Sequence, residues 1–105
     1  LDHITFHEGF AHMVQFCAMH TADWHSEKLT QVGADSRAKL AQALAETDPE
    51  KQKAYLSEAD RGCWYSKYAA MAGMLFLADR WEDGGIPALR AILETGPAGF
   101  APRCL

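Results

Sequence analysis

An uninterrupted apolar run from Tyr68 to Ala78 constrains the fold of this 105-residue chain more than any other sequence feature. The run has 11 residues, whereas a helix needs roughly 20 apolar residues to cross a bilayer. Drawn as a helix, it is hydrophobic on nearly every side, and helices of this kind are usually covered by their neighbours. We therefore predict a central apolar helix from about residue 63 to residue 82, in a soluble protein with no membrane partner.

The rest of the chain shows helical periodicity and few strand signals. A first helix is predicted from about Thr5 to His20, with an apolar stripe formed by Phe6, Phe10, Met13, Val14 and Cys17. The segment from Trp24 to Val32 either prolongs this helix or forms a short helix of its own. Gly33 is predicted to end it, because glycine is the commonest residue after a helix C-terminus.

Turn-forming residues mark the remaining helix boundaries. Asp48-Pro49 predicts an N-cap followed by proline at the first helical position. Gly84-Gly85 predicts a stop after the central helix, Gly96-Pro97 ends the last helix, and residues 98–105 are predicted to be a loop. The predicted fold is all-α, a single irregular bundle of five to six helices that forms one domain over residues 1–105.

Charge and cysteine usage narrow the function classes. The chain has a net charge of −4 with scattered basic residues, whereas nucleic-acid-binding domains cluster them, so we predict no nucleic-acid partner. The three cysteines, Cys17, Cys63 and Cys104, match neither a disulfide framework nor a Cys-x-x-Cys metal site. This pattern favours a reducing, cytoplasmic location.

All five histidines lie in the first 25 residues, and two of them frame the run His7-Glu8-Gly9-Phe10-Ala11-His12. In the His-Glu-x-x-His motif of zinc peptidases the histidines are four residues apart and share one zinc ion. Here they are five apart, which separates them by about 140° around a helix. His7 and His12 are therefore not predicted to bind the same metal.

Other pairs have the four-residue spacing that places side chains on one helix face. They are His3 with His7 and Glu8 with His12. A zinc site built on His3, His7 and Glu8 would need a further ligand, for which the candidates are His20, Asp23 and His25. The alternative is that these are ordinary solvated or core-edge imidazoles, and that Glu8 and His12 form only a surface pair.

Gly9 gives a separate indication about the surroundings of Glu8. Glycine inside a helix costs about 1 kcal/mol relative to alanine. Its place beside Glu8 predicts either the helix start or the close approach of another backbone. A helix crossing is one explanation for such an approach, and a site that Glu8 faces is the other.

The segment Glu8-Gly9-Phe10-Ala11 resembles the Glu-Gly-x-Ala segment that supplies the third zinc ligand in several gluzincin-type metallopeptidase families. Residues 65–100 are also similar to the next part of such families: a tyrosine and small residues open an apolar helix, and a glycine break, an amphipathic helix and Gly96-Pro97 come next. The resemblance implies that Glu8 is a metal ligand and that Tyr65 lines the site. The chain departs from the family because these 105 residues contain no His-Glu-x-x-His helix, the source of two ligands and the catalytic base.

Three functions are therefore considered. The first is a non-catalytic, metallopeptidase-like domain with a small pocket at Glu8, His12 and Tyr65. The second is an interaction module that forms a homodimer, since the helix count leaves one apolar face more than a compact monomer needs. The third is a metal-dependent hydrolase that uses His3, His7 and Glu8. No catalytic residue is assigned, and zinc is the only cofactor under consideration.

Overall fold

The computed structural model describes residues 1–19 and 23–105. These residues contain five α-helices and a short 3₁₀ turn. The helices are α1 (Asp2–Met19), α2 (Glu27–Ala45), α3 (Pro49–Glu58), α4 (Tyr68–Thr95) and α5 (Phe100–Arg103), and the 3₁₀ turn Trp64–Ser66 precedes α4. These described residues contain no strand. The predicted all-α class is confirmed.

The central helix of the bundle is α4, which packs against both α1 and α2. Its first part, residues 68–78, is almost completely buried. The helix begins at Tyr68 rather than near residue 63, and it continues past the predicted stop as a kinked helix. At the kink Gly85 has φ 66°, a conformation that glycine adopts without strain. Within the described ranges, no helix combines the length and the apolar composition that crossing a bilayer requires.

Helices α1 and α4 cross in direct backbone contact. A Cβ atom placed on Gly9 would lie 2.9 Å from the carbonyl carbon of Gly73. A Cβ atom on Gly73 would lie 2.1 Å from the backbone oxygen of Thr5. The close approach predicted from Gly9 is confirmed, and its direct cause is this helix crossing.

The crossing decides which face of α1 is buried. Phe6, Met13 and Phe16 lie three, four and seven residues from Gly9 and are buried. Val14 is 62% exposed, and Cys17 is exposed as well. The predicted stripe was therefore wrong in its second half, because sequence periodicity cannot choose between two neighbouring faces that both carry apolar residues.

The predicted break at Gly33 was wrong, because α2 runs through it without interruption. The helix begins at Glu27 and is capped by Ser26, whose side chain accepts a hydrogen bond from the N–H of Leu29 at 3.2 Å. Gly33 is buried, and a Cβ atom there would lie 3.0 Å from Cδ1 of Leu75 in α4. Here glycine allows a close helix contact and does not end the helix.

Helix α3 begins as its sequence predicts. The Asp48 carboxylate accepts a hydrogen bond from the N–H of Glu50 at 3.1 Å, and Pro49 occupies the first helical position. The proline ring fixes φ at a helical value, and its missing N–H would have no partner in the first turn. Local chemistry alone therefore sets this boundary.

The C-terminal segment was predicted as a loop, and this was wrong for residues 100–103, which form α5. Phe100 is completely buried and packs edge-on against Phe6 of α1 and Phe76 of α4. A four-residue helix has almost no stability of its own. It forms because this aromatic contact holds it against the bundle.

Asp2 connects the first turn of α1 to α5. Its carboxylate accepts hydrogen bonds from the backbone N–H groups of Gly99 at 2.8 Å and Ala101 at 2.9 Å. These donors lie at the start of α5, where a helix has N–H groups without partners inside the helix. The side chain of one helix thus caps another.

Candidate metal centre

Glu8 and His12 lie one turn apart on the same face of α1. The backbone contact at Gly9 fixes the rotation of the helix, so that His12 turns inward with only 6% of its side chain exposed. The Glu8 side chain remains 39% exposed, and its Oε2 atom lies 3.6 Å from Nδ1 of His12. The four-residue spacing noted in the sequence therefore does bring these two groups together.

A backbone hydrogen bond fixes the orientation of the His12 ring. Its Nδ1 atom lies 2.7 Å from the backbone oxygen of Glu8. A carbonyl oxygen can only accept, so Nδ1 carries the proton and donates it. In the neutral imidazole the other nitrogen, Nε2, then has a free lone pair. The hydrogen bond thus leaves Nε2 as an acceptor or a metal ligand.

Asp60, in the connection between α3 and α4, faces this lone pair. Its Oδ1 atom lies 4.0 Å from Nε2 of His12. Oδ1 is buried and has no hydrogen-bond partner among the described residues, although 30% of the side chain is exposed. The gap between these two atoms is too wide for a hydrogen bond.

The connection that carries Asp60 is held against the start of α4. The neighbouring Ala59 is fully buried, and its backbone oxygen accepts a hydrogen bond from the N–H of Ala69 at 3.2 Å. The Tyr68 hydroxyl donates to the backbone oxygen of Tyr55 in α3. Burial, with a smaller contribution from the Glu58 carboxylate, raises the pKa of Tyr68 to about 12, so this donor keeps its proton at neutral pH.

Two further groups border the His12–Asp60 gap. The Trp64 ring lies against the His12 imidazole, with 4.6 Å between ring centroids and an interplanar angle of 55°. The Lys67 Nζ atom lies 3.9 Å from Oδ1 of Asp60. The Trp64 ring therefore borders the gap beside His12, and the Lys67 ammonium lies near it beside Asp60.

Glu8, His12 and Asp60 are the one group of at least three candidate metal ligands that the described residues bring together. One ligand atom from each lies within 4.8 Å of the other two. The sequence analysis named Glu8 as a metal ligand and His12 as a pocket residue, but it did not name Asp60. Nothing in the local sequence distinguishes Asp60 from the other acidic residues, because only the packing of the α3–α4 connection brings it to α1.

His3 and His7 lie elsewhere on α1. Their rings stack on each other, with centroids 5.8 Å apart and planes inclined by 19°, and both residues are exposed. The four-residue spacing has made them neighbours, as predicted, but His7 also packs edge-on against Phe6. The assignment of a metal to His3, His7 and Glu8 stays a prediction.

Tyr65, the third residue of the predicted pocket, is 41% exposed. Its ring lies beneath Lys28, with Nζ 4.8 Å from the ring centroid. The aromatic residue in contact with His12 is its neighbour Trp64, which the sequence pattern did not assign to the site. The role of Tyr65 in a pocket with Glu8 and His12 stays a prediction.

The remaining predicted ligands are paired with other residues or lie outside the described ranges. His25 Nε2 is 3.0 Å from the Glu82 carboxylate of α4. The Asp23 carboxylate accepts the backbone N–H of His25 at 3.1 Å. His20 lies outside the described residues. His25 is therefore paired with the Glu82 carboxylate of α4.

A separate cavity of about 390 Å³ lies between α2 and α4 and extends to the C-terminal residues. Its two acidic lining residues already have partners: Glu82 is paired with His25, and Asp79 with Arg80. The mixture of paired charges and apolar walls does not indicate a ligand class. We therefore take the cluster of Glu8, His12 and Asp60, hereafter the Glu8 cluster, as the candidate functional site.

Comparison of the chain with protein-family models, with curated protein sequences and with solved structures gave no match. We therefore infer function from the geometry of the Glu8 cluster itself.

Proposed function

We propose that this domain binds a divalent metal ion, with zinc as the preferred ion, at the Glu8 cluster. The observation that carries the proposal is that Nε2 of His12 lies 4.0 Å from Oδ1 of Asp60, a buried carboxylate oxygen with no hydrogen-bond partner among the described residues. Buried polar atoms without a partner are unfavourable. A cation between these two atoms would satisfy both at once.

The donor types favour zinc. Imidazole nitrogen and carboxylate oxygen are common zinc ligands, with bonds of about 2.0 to 2.2 Å. Histidines that bind metals usually donate their other ring N–H to a carbonyl or carboxylate, which fixes the ring and makes the ligating nitrogen more basic. The bond from His12 Nδ1 to the Glu8 backbone oxygen is of this kind.

Binding needs only small side-chain movements. Ligand atoms around tetrahedral zinc lie about 3.4 Å apart, from the bond lengths given above. His12 Nε2 and Asp60 Oδ1 must therefore approach each other by about 0.6 Å. The Glu8 carboxylate, within 4.8 Å of its partners and partly exposed, would rotate toward the ion as the third ligand. A water molecule would complete the coordination.

The resemblance to gluzincin-type families supports the same role for Glu8, which it implies is a metal ligand. In our proposal the co-ligands are His12 and Asp60 in place of the paired histidines of that family. We further propose that the domain is metallopeptidase-like but non-catalytic. This is consistent with the sequence, which lacks the helix that carries the general base of those enzymes.

The test is a zinc titration of the purified chain in competition with a chromophoric chelator. We expect one zinc ion per chain with micromolar or tighter affinity, and about tenfold weaker binding for Glu8→Gln. Glu94→Gln, which removes an exposed carboxylate of α4, is the matched control and should bind like the original protein. Absence of zinc binding at micromolar concentrations would rule out the proposal.

Trp64 provides an independent signal from the same site, because its ring contacts His12. Zinc binding should change its fluorescence, and the change should disappear in Trp64→Phe while the competition assay still detects zinc. A fluorescence change that persists in Trp64→Phe would place the ion near another tryptophan.

Self-association is a second candidate function, favoured by an exposed apolar face on α4. Ile86 and Leu93 follow the kink, lie seven residues apart on one side of the helix and are 60% and 54% exposed. Large exposed apolar residues that share a face are typical of interaction surfaces. Light scattering should detect a dimer at high concentration that Leu93→Glu abolishes. A mass of 11.6 kDa at every concentration would exclude it.

We also propose a reducing, cytoplasmic location, which the state of the three cysteines supports: Cys17 and Cys63 are free and exposed, and Cys104 is free and buried. Thiol labelling of the protein in intact cells, before and after reduction, would test this. Labelling that appears only after reduction would contradict a reducing compartment.

A further inference from the structure

A lysine ammonium already lies near the carboxylate oxygen on which the proposed metal site depends. Lys67 immediately precedes α4, and its backbone oxygen accepts a hydrogen bond from Met71 N–H at 2.8 Å. Its Nζ atom is 3.9 Å from Oδ1 of Asp60, the same atom that faces His12 Nε2 at 4.0 Å. A metal ion and the Lys67 ammonium would therefore approach the same oxygen.

We propose that Lys67 competes with the metal for Asp60 and so lowers the metal affinity of the Glu8 cluster. This inference rests on the proposed function. The ammonium neutralises one of the two carboxylate charges when no metal is bound. A dication bound to Asp60 would lie within a few ångströms of this ammonium. Two positive charges at that distance repel each other strongly when they are partly buried.

The length and position of the Lys67 side chain allow its ammonium group to move away from Asp60. The Lys67 side chain is 25% exposed, and a flexible four-carbon stem can move the ammonium into solvent. Its backbone is meanwhile anchored at the start of α4 through Met71. Metal binding would thus displace the ammonium without unfolding the helix.

Competition of this kind should affect different dications alike. The cost of displacing the ammonium is the same for each ion that binds Asp60, so it cancels when two ions are compared. The preference for zinc comes instead from the imidazole ligand, from which Mg²⁺ and Ca²⁺ gain little. Removing the ammonium should therefore increase binding of all these dications by a similar factor.

The experiment measures zinc affinity of the full 105-residue chain for the original protein and for Lys67→Met, Lys67→Arg and Lys39→Met. Lys67→Met keeps the stem but removes the charge, and we expect at least tenfold tighter zinc binding. Lys67→Arg keeps the charge and should stay within about threefold of the original protein. Lys39→Met removes a lysine that pairs with Glu58, outside the cluster, at 2.8 Å, and should leave the affinity unchanged.

The outcomes separate the two proposals. Equal or weaker zinc binding by Lys67→Met overturns the competition but leaves the metal site standing. Absence of zinc binding in all four proteins overturns the proposed function itself. If circular dichroism shows that Lys67→Met does not fold, Lys67→Gln carries the same test. A zinc increase in Lys67→Met without a similar increase for Mg²⁺ also overturns the competition.

Discussion

Two neighbouring segments of α1 differ in what their charged side chains contact. In the first segment, residues 2–6, the Asp2 carboxylate caps α5 with two hydrogen bonds, and Phe6 packs against Phe100. In the second segment, residues 8–12, the Nε2 atom of His12 lies 4.0 Å from Oδ1 of Asp60, too far for a hydrogen bond. One helix thus has a segment closed against α5, in which the buried Thr5 hydroxyl has no hydrogen-bond partner, and, one turn later, a segment that faces an unpartnered carboxylate oxygen.

The difference separates structural residues from candidate functional ones. The contacts of Asp2 and Phe6 are complementary, which is what stability requires. In the Glu8 cluster the buried Oδ1 atom of Asp60 has no hydrogen-bond partner, which lowers stability unless a ligand binds. Sites of this kind are expected where a protein binds something, because local rules are usually broken at functional positions.

Loss of Phe100 should break the closed segment and give the largest effect. Phe100→Ala removes a fully buried ring, and we expect the free energy of unfolding in urea to fall by about 4 kcal/mol. If the variant does not fold, Phe100→Leu should cost about 1 kcal/mol. Leu105→Ala, at a 55% exposed residue, is the control. A small loss for Phe100→Ala would show that α5 is not part of the core.

A methyl group at Gly73 should disturb both segments together, because the α1–α4 crossing orients them. Gly73→Ala places Cβ against the Thr5 backbone oxygen, and we expect a loss of about 3 kcal/mol in urea unfolding. Gly33→Ala is the matched control. Its close neighbours are the side-chain atoms of Arg37 and Leu75, and alanine is the better helix former. Equal effects at both positions would contradict the tight backbone crossing.

Replacement of His12 should strongly weaken metal binding and leave residues 2–6 intact. His12→Gln keeps a polar side chain of similar size but lacks the Nε2 ligand, and we expect about 100-fold weaker zinc binding, or about 2.7 kcal/mol. His7→Gln, on the exposed face of the same helix, should change the affinity less than twofold. The reverse ranking in the competition titration would support the predicted site at His3, His7 and Glu8.

Asp60→Asn should have a smaller effect on metal binding, because an amide oxygen can still coordinate weakly. We expect about tenfold lower zinc affinity, equivalent to about 1.4 kcal/mol. Asp83→Asn, at an exposed position after the apolar part of α4, is the control for the loss of one negative charge. Should both variants bind zinc equally, the contribution of Asp60 would be general electrostatics and not ligation.

The smallest expected effect is the pH dependence of the free energy of unfolding that comes from Cys104, the residue after α5. Burial raises the pKa of the Cys104 thiol to about 12 from its ordinary value of 9.0. Below pH 9 both folded and unfolded states keep the proton, so this group adds no pH dependence. Above pH 9 the unfolded state loses the proton first, and the free energy of unfolding should fall by about 1 kcal/mol at pH 10.

Urea unfolding between pH 8 and pH 10 measures this slope, and Cys104→Ala should reduce it. A thiol reagent at neutral pH should also modify exposed Cys17 and Cys63 much faster than buried Cys104. Fast modification of all three cysteines would mean that the C-terminal segment opens readily.

Much of the fold was predictable because helix signals are local. The apolar run of α4, the Asp48-Pro49 start of α3 and the backbone irregularity at Gly85, which is a kink and not a helix end, all depend on residues within one or two turns. Errors arose where the signal was ambiguous without tertiary contacts. Gly33 looked like a helix end but allows α2 to pack against Leu75, and residues 100–103 form a helix only because Phe100 is covered.

The sequence by itself determined an all-α fold and the pairing of Glu8 with His12, since helix period and spacing are properties of neighbouring residues. Tertiary structure alone decided that His12 turns inward, through the contact of Gly9 with Gly73, and that Asp60 faces it. The reason is physical: which face of a helix is buried, and what meets it there, depends on the shape of distant segments.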